Sequence, residues 1–168
     1  MNVTEAIRKR RSVRKYQEGA NIPQEDLDQI LEAAMMAPSA RNTRPWEFVV
    51  VENREVLNKF PDIQPYTRMM HTASLAIVVC GRPDLQQDGN IFWPQDCGAA
   101  IENMLLQALE LGYGTCWCGL YPAEERVRGF QELLDVESIP MAAVAVGVPA
   151  EEPQARGFYD KSRVKYIR

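Results

Sequence analysis

The stretch DCGAAIENMLLQALEL, residues 96–111, decides the fold of this chain. Its spacing predicts a helix with small or apolar side chains on several faces, including Ala100, Met104 and Ala108. A helix that is apolar most of the way round lies inside a protein rather than on its surface. Gly112 follows and is expected to end it. The sequence therefore predicts a long central helix that other elements cover.

Strands and helices alternate on both sides of this predicted helix. Apolar runs predict four strands, EFVVVE (47–52), SLAIVVC (74–80), TCWCGL (115–120) and MAAVAVGV (141–148). Predicted helices are a short one that Asn2 and Glu5 cap, one from Pro23 to near Pro38, a short one over 53–60, and one from Pro122 to Leu134. Alternation of this kind predicts an α/β or α+β fold, with one layer of sheet covered by helices.

Two segments show neither the helical spacing of apolar residues nor an apolar run that predicts a strand. Residues 82–95 are expected to form a loop, and the chain after Pro149 is polar and extended through Arg168. Such a tail is either disordered or laid on another surface, for example that of a partner subunit. With 168 residues, 46% of them hydrophobic, and no linker, the chain fits one domain over 1–168. A domain of that size buries about 70% of its unfolded surface.

Composition excludes several classes of protein. No apolar run approaches the roughly 18 residues that span a bilayer, so no membrane partner is expected. The N-terminus has no apolar signal core, which predicts a cytoplasmic protein with reduced cysteines. Cys116 and Cys118 form a C-x-C, but with one lone histidine, His71, they make a poor zinc set. No metal site is predicted.

Basic residues cluster at both ends of an acidic chain. Six of the eight residues in RKRRSVRK (8–15) are basic, a second basic cluster lies after residue 160, and the formal net charge is −4. Clustered cations are either a solvated arm or a site for a polyanion. Their placement at both ends favours one small, highly charged ligand over a nucleic acid, which the acidic middle would repel. The aromatic residues of a base-stacking surface are also missing from residues 8–15.

Four segments spread over the whole chain form a more specific pattern. They are RRSVRKY (10–16), PSARNTRPW (38–46), DCGAAIENMLLQALELGYGTCW (96–117) and KSRVK (161–165). Together they resemble the nitroreductase family of flavin enzymes. The resemblance implies an FMN cofactor and an α+β fold, in which helices flank a central, mostly antiparallel sheet. It also implies an intertwined homodimer with two flavins at the subunit interface.

The resemblance assigns part of the basic clusters to the FMN phosphate. Arg10 and Ser12 match the family positions that hold this phosphate, and Lys161 and Arg163 of the tail join them. Guanidiniums suit the role because their fixed N–H donors pair with phosphate oxygens. A solvated basic arm is the alternative, which the matching tail makes less favourable.

Other matching positions lie beside the flavin ring. Arg14 matches a cation at the pyrimidine end, where it stabilises the negative charge of reduced FMN. Arg11 is either a further flavin contact or an exposed charge. Cys118 and Gly119 match the strand end whose backbone N–H groups lie beside flavin N5, a role that any residue except proline can fill. Cys118 is therefore not expected to act as a nucleophile.

By the same resemblance, a loop of the partner subunit reaches across onto the flavin. The matching residues are Pro38, Ser39, Ala40 and Asn42. An ordinary helix-to-strand turn would have the same composition. The chain departs from the family at Arg44, where Gln is usual, and at Tyr66 and Met69, where many relatives have Asn and Lys.

The resemblance implies a ping-pong oxidoreductase. NAD(P)H would pass hydride to FMN N5 and leave, and an electron-poor acceptor, a nitroaromatic or a quinone, would then take electrons. No catalytic side chain is predicted because the flavin carries the chemistry. No G-x-G-x-x-G follows a strand, so no separate nicotinamide domain is expected. The alternative is a flavin-binding carrier or sensor without turnover, which Arg44 and Tyr66 motivate.

Some aromatic and methionine residues have two interpretations. Those in the variable stretch, where family members build the substrate pocket, are Tyr66, Met69, Met70, Phe92 and Trp93. Core packing or a dimer surface explains them equally well. Trp46 and Trp117 are expected to pack in the core rather than on a ligand.

Overall fold

A single antiparallel sheet organises the protein. The computed structural model describes residues 1–85, 89–154 and 156–168. The strands are β1 (Trp46–Val51), β2 (Leu75–Gly81), β3 (Gly114–Gly119) and β4 (Ile139–Gly147), and they lie side by side in the order β1-β2-β4-β3. All three neighbouring pairs are antiparallel. The predicted α+β fold with an antiparallel sheet is confirmed.

Six α-helices surround the sheet in the described part of the chain. They are α1 (Val3–Lys9), α2 (Gln24–Met35), α3 (Arg54–Leu57), α4 (Phe60–Ile63), α5 (Trp93–Glu110) and α6 (Glu124–Leu134). Short 3-10 helices cover Ala40–Asn42, Pro65–His71, Pro83–Leu85 and Lys161–Arg163. None of the helices described is long and apolar enough to cross a bilayer.

The sheet separates two apolar cores, because side chains along a strand alternate between its faces. Ile77 and Val79 of β2 pack with α2 and α5 on one face. Val78 of β2 packs on the other face with Phe60 of α4 and Phe130 of α6, whose rings meet edge to face at 4.7 Å between centroids. Both faces of β2 are therefore fully buried.

Helix α5 is the central helix that the sequence predicts. Ile101, Met104 and Ala108 are completely buried against the sheet and α2. The helix begins at Trp93, earlier than predicted, because Pro94 lies in its first turn, where a proline costs no hydrogen bond. Gly81 of β2 packs flat against the Trp93 ring, and a Cβ atom there would overlap it.

The predicted end of one short helix is wrong. The sequence predicts a helix over 53–60 that ends before Pro61, whereas α3 ends at Leu57 and α4 runs through Pro61. Pro61 occupies the first turn of α4, so it starts a helix rather than stopping one. Residues 86–88 of the predicted loop and residue 155 of the predicted tail lie outside the described residues.

The N-terminal segment that follows α1 is held between β3 and the start of the tail. The Val13 N–H donates to Thr115 O on β3 at 2.8 Å, and the Ala150 N–H donates to Lys15 O at 2.8 Å. The described part of the tail is extended, as predicted, apart from the turn at Lys161–Arg163. It exposes large apolar side chains, Phe158, Tyr159, Tyr166 and Ile167.

Candidate functional site

A basic cleft of about 830 Å³ lies between the N-terminal segment and the tail. Five of its side chains are cationic and one, Glu151, is a carboxylate. The charged lining residues are Arg10, Arg11, Arg14, Lys15, Glu151 and Arg156, and Ser12 adds a hydroxyl that can donate a hydrogen bond to an anion. This excess of cations over acids favours a multiply charged anion.

Local contacts hold the walls of the basic cleft. The Arg14 N–H donates to Glu151 Oε1 at 2.7 Å, and Arg11 Nε donates to Gln154 O at 3.1 Å. Arg10 forms an ion pair with Glu102 of α5, with 3.4 Å between Nε and Oε1. Ser12 forms a parallel bridge with Thr115 of β3. A carboxylate therefore positions the side chain of Arg10, and a backbone carbonyl positions that of Arg11.

A second cleft, also of about 830 Å³, opens where β3 ends, and we call it the strand-end cleft. Arg14 lines both clefts. The other residues of the strand-end cleft are Gln64, Pro65, Tyr66, Arg68, Met69, Cys116, Trp117, Cys118, Gly119 and Arg126. A ligand with an anionic end and a flat end could therefore extend from one cleft to the other past Arg14.

Gln64 ties the two walls of the strand-end cleft together. Its side chain is 2% exposed, and its Nε2 donates to Gly119 O at 2.6 Å. Its Oε1 accepts the Tyr66 N–H at 3.4 Å, and the Cys118 thiol donates to Tyr66 O at 3.7 Å. The strand end and the turn that carries Tyr66 are thus fixed relative to each other.

The loop after α2 lies at the start of α5 and lines neither cleft. The Ala40 N–H donates to Oδ1 of the buried Asp96 at 3.0 Å. Arg41, Asn42 and Arg44 have φ values of 53°, 56° and 50°, which side-chain-bearing residues seldom adopt. Strained backbone of this kind persists where surrounding contacts enforce it, and it is common at functional sites.

Comparison with known proteins identifies the family of this chain. The Nitroreductase family matches the chain over residues 7–67 and 64–148.

The chain belongs to the nitroreductase family.

The family predicted from the sequence is therefore confirmed. A relative from Methanothermobacter thermautotrophicus, named "Putative NADH dehydrogenase/NAD(P)H nitroreductase", is 46% identical over 98% of this chain and 86% of its own length. The FMN-dependent nitroreductase of Clostridium difficile R20291 superposes with a TM-score of 0.90, at 29% identity and 99% coverage of both chains. A "putative nitroreductase" of Desulfovibrio desulfuricans, solved in complex with FMN, has a TM-score of 0.85 at 27% identity, covering 100% of this chain and 98% of that one.

The chain of this nitroreductase brings the predicted site residues together in groups. Arg10, Arg11, Ser12 and Arg14 share the basic cleft, and Arg14, Cys118 and Gly119 share the strand-end cleft. Two groups line neither cleft: Pro38, Ser39, Ala40 and Asn42 of the loop, and Lys161 and Arg163 of the tail. Arg163 is exposed and pairs with Asp160, with 3.1 Å between Nε and Oδ2.

The aromatic and methionine residues divide between core and cleft. Tyr66 and Met69 line the strand-end cleft, whereas Met70 and Trp93 are buried in the cores. Phe92 is exposed. Trp46 packs against the core as predicted. Placing Trp117 in the core was wrong, because 37% of it is exposed and it lines the strand-end cleft.

Several cleft residues lie outside the motifs that the sequence contains. Gln64, Arg68 and Arg126 line the strand-end cleft, and Glu151 and Arg156 line the basic cleft. Arg68 could have been predicted from its place between Tyr66 and Met69, in the variable stretch where family members build the substrate pocket. Nothing in the local sequence marks Gln64 or Arg126, since their roles depend on contacts across the fold.

All four cysteines are free and buried, and two of them, Cys116 and Cys118, line the strand-end cleft. Burial raises the pKa of Cys80 to about 11 and that of Cys97 to about 12. A hydrogen bond from the Cys118 thiol, followed by the charge of Arg14, lowers the pKa of Cys116. No group of three or more His, Cys, Asp or Glu residues that could hold a metal ion occurs in the described ranges.

We expect one thiolate to form in the folded protein below the usual thiol pKa of about 8.5. The pKa of Cys116 is lower in the folded protein than in unfolded chains. Between the two pKa values unfolded chains therefore bind more protons than folded ones, and stability rises with pH across that interval. Ultraviolet absorbance of the thiolate across a pH series measures the titration. Cys116→Ser should abolish the absorbance transition below the usual thiol pKa, and Cys97→Ser should leave that transition unchanged. A transition that survives Cys116→Ser would contradict its assignment to Cys116.

Proposed function

We propose that this nitroreductase binds FMN and catalyses electron transfer from NAD(P)H to an electron-poor acceptor, a nitroaromatic or a quinone, by a ping-pong mechanism. In the net reaction, NAD(P)H and a proton reduce the acceptor by two electrons. The observation that carries the proposal is the connection of the basic cleft to the strand-end cleft at Arg14. A phosphate and a planar ring joined by a short chain match that arrangement.

The residues present fit FMN. A phosphate dianion suits a cleft with five cations and one carboxylate, and charge-assisted contacts contribute about 1.5–3 kcal/mol each. A micromolar site needs about 8 kcal/mol, which three or four such contacts supply. We assign Arg10 and Ser12 to the phosphate, with Arg11 as a further contact. Relatives known as FMN-dependent or solved with FMN support the same cofactor.

Bound FMN would supply the atom that takes up and gives back hydride. Arg14 places a cation at the junction of the clefts, where it would stabilise negative charge on a reduced ring. Cys118 and Gly119 would contribute main-chain donors at the strand end. Met69 and Trp117 provide apolar walls that limit water, and nicotinamide and acceptor would occupy the same space in turn.

We further propose that the chain forms a single domain that assembles as an intertwined homodimer. The loop of Pro38, Ser39, Ala40 and Asn42 lines neither the basic cleft nor the strand-end cleft of its own protomer, and the same holds for Lys161 and Arg163. The tail also exposes Phe158, Tyr159 and Ile167. Exposed apolar surface of this kind is typical of interfaces. A partner would let the loop and the tail reach the second protomer's clefts.

Bleaching of bound flavin tests the proposed function. Purified protein loaded with FMN should lose its flavin absorbance on anaerobic addition of NADH or NADPH, and a quinone should restore it. Free FMN under the same conditions is the control, and it should bleach far more slowly because nothing orients the nicotinamide. Protein that retains FMN but never bleaches would support the carrier or sensor instead. Protein that binds no FMN would contradict both.

A further inference from the structure

The strand-end cleft holds two arginines that the proposed function does not use. Arg68 lies in the turn Pro65–His71, and Arg126 lies in α6. Neither guanidinium takes part in any ion pair between described residues. No carboxylate is among the described residues that line this cleft. Both charges are therefore available to an anion that enters from outside.

The position of Arg126 is not explained by its helix. It is the third residue of α6, close to the positive end of the helix dipole, where acidic residues such as Glu124 and Glu125 are favourable. A cation there gains nothing from the dipole. Arg126 lines the strand-end cleft, as Arg68 does. The helix therefore presents a charge to the cleft at a position that its own electrostatics disfavour.

Aromatic side chains accompany the two arginines. Tyr66 is 76% exposed, although Gln64 and Cys118 hold its backbone in place, and Trp117 is partly exposed in the same cleft. An exposed ring on a fixed backbone offers a flat apolar surface to another ring. The cleft thus combines stacking surfaces with two unpaired guanidiniums, whose paired donors match a carboxylate.

We infer that the strand-end cleft selects aromatic acceptors that carry a carboxylate, with Arg68 and Arg126 binding the carboxylate. This inference rests on the proposed function and names the substrate class of the same site. Tyr66 and Trp117 contact the acceptor ring, and the arginines fix its orientation. Exposed ion pairs are individually weak, so the selectivity is set by the two arginines acting together.

Two acceptors of similar size, one anionic and one neutral, test the inference. para-Nitrobenzoate and para-nitrobenzamide have similar size and both carry a nitro group. We expect wild-type kcat/KM to favour the benzoate by about tenfold, since two exposed contacts contribute about threefold each. The double variant Arg68→Gln/Arg126→Gln should bring the ratio close to one. Arg128→Gln, on the same helix but outside this cleft, is the matched control and should keep the wild-type ratio.

Binding without turnover separates this inference from the proposed function. Calorimetry of benzoate and benzamide with FMN-loaded protein should show the same preference and its loss in the double variant. If NAD(P)H never bleaches the flavin but this preference is present, the proposed function fails and the anion subsite stands. Equal affinity for the two compounds would overturn the inference. A double variant that keeps the preference for benzoate would also overturn the inference. The same holds for a double variant that keeps this preference and changes only the relative activity with NADPH and NADH, or only the affinity for FMN.

Discussion

Replacing Gly114 with Ala is expected to destabilise this nitroreductase by about 1–3 kcal/mol and to weaken FMN binding with it. A Cβ atom at Gly114 would lie 2.8 Å from both Cβ and Cγ1 of Val13. The Val13 Cβ is attached directly to backbone, so the segment between Ser12 and Arg14 must move. That segment pairs with Thr115 and carries the cations of the basic cleft. One methyl group should therefore affect stability and cofactor binding together.

Urea unfolding of the protein without flavin measures the first effect, and an FMN fluorescence titration measures the second. Gly119→Ala is the matched stability control, because it lies on the same strand and its added Cβ meets nothing within 4 Å. Its unfolding free energy should stay close to that of the wild type. A Gly114→Ala protein with unchanged stability and FMN affinity would show that the N-terminal segment is not held as the structure indicates.

Arg10→Ala and Arg163→Ala are each expected to raise the dissociation constant of FMN by about 10- to 100-fold, the loss of one charge-assisted contact. Arg10 lines the basic cleft, whereas Arg163 lines neither cleft of its own protomer. An effect of Arg163→Ala would therefore place the tail on a partner's phosphate site. Fluorescence titration of FMN with each variant and with the double variant gives the comparison.

Arg168→Ala is the control for tail charge, since Arg168 lies on the same tail but has no assigned contact with FMN. It should change the dissociation constant little. If Arg163→Ala also binds FMN like the wild type, the tail does not reach the phosphate. The proposal that residues from both ends of the chain bind the phosphate is then wrong. If Arg163→Ala weakens FMN binding and Arg10→Ala does not, Arg10 stays in its ion pair with Glu102 and does not contact the phosphate.

Apolar pattern alone predicts most of the fold. The runs around Val78 and Val144 are strands, and the run around Met104 is the central helix, because each must bury its side chains on every side. Proline was less informative. Pro61 and Pro94 both lie in first turns of helices, and a local pattern does not distinguish a proline that ends one helix from a proline that begins the next.

The candidate site was predictable where it depends on local sequence and not where it depends on tertiary contacts. Arg10, Ser12 and Arg14 lie within one short segment, so their shared cleft follows from the motif. Gln64 lies between two helices, and its buried side chain reaches across the fold to Gly119 on β3. Trp117 alternates away from the buried Cys116 and Cys118 as a strand requires, but the cleft leaves that face open, so alternation did not predict its exposure.

The attachment of the N-terminal segment to the far end of the chain has a consequence for biosynthesis. The contact between Arg14 and Glu151 joins residues 137 positions apart. Closing so long a loop costs entropy that only the assembled sheet can offset. During translation the N-terminal segment must therefore wait until residue 151 has been made, and the basic cleft cannot form before then.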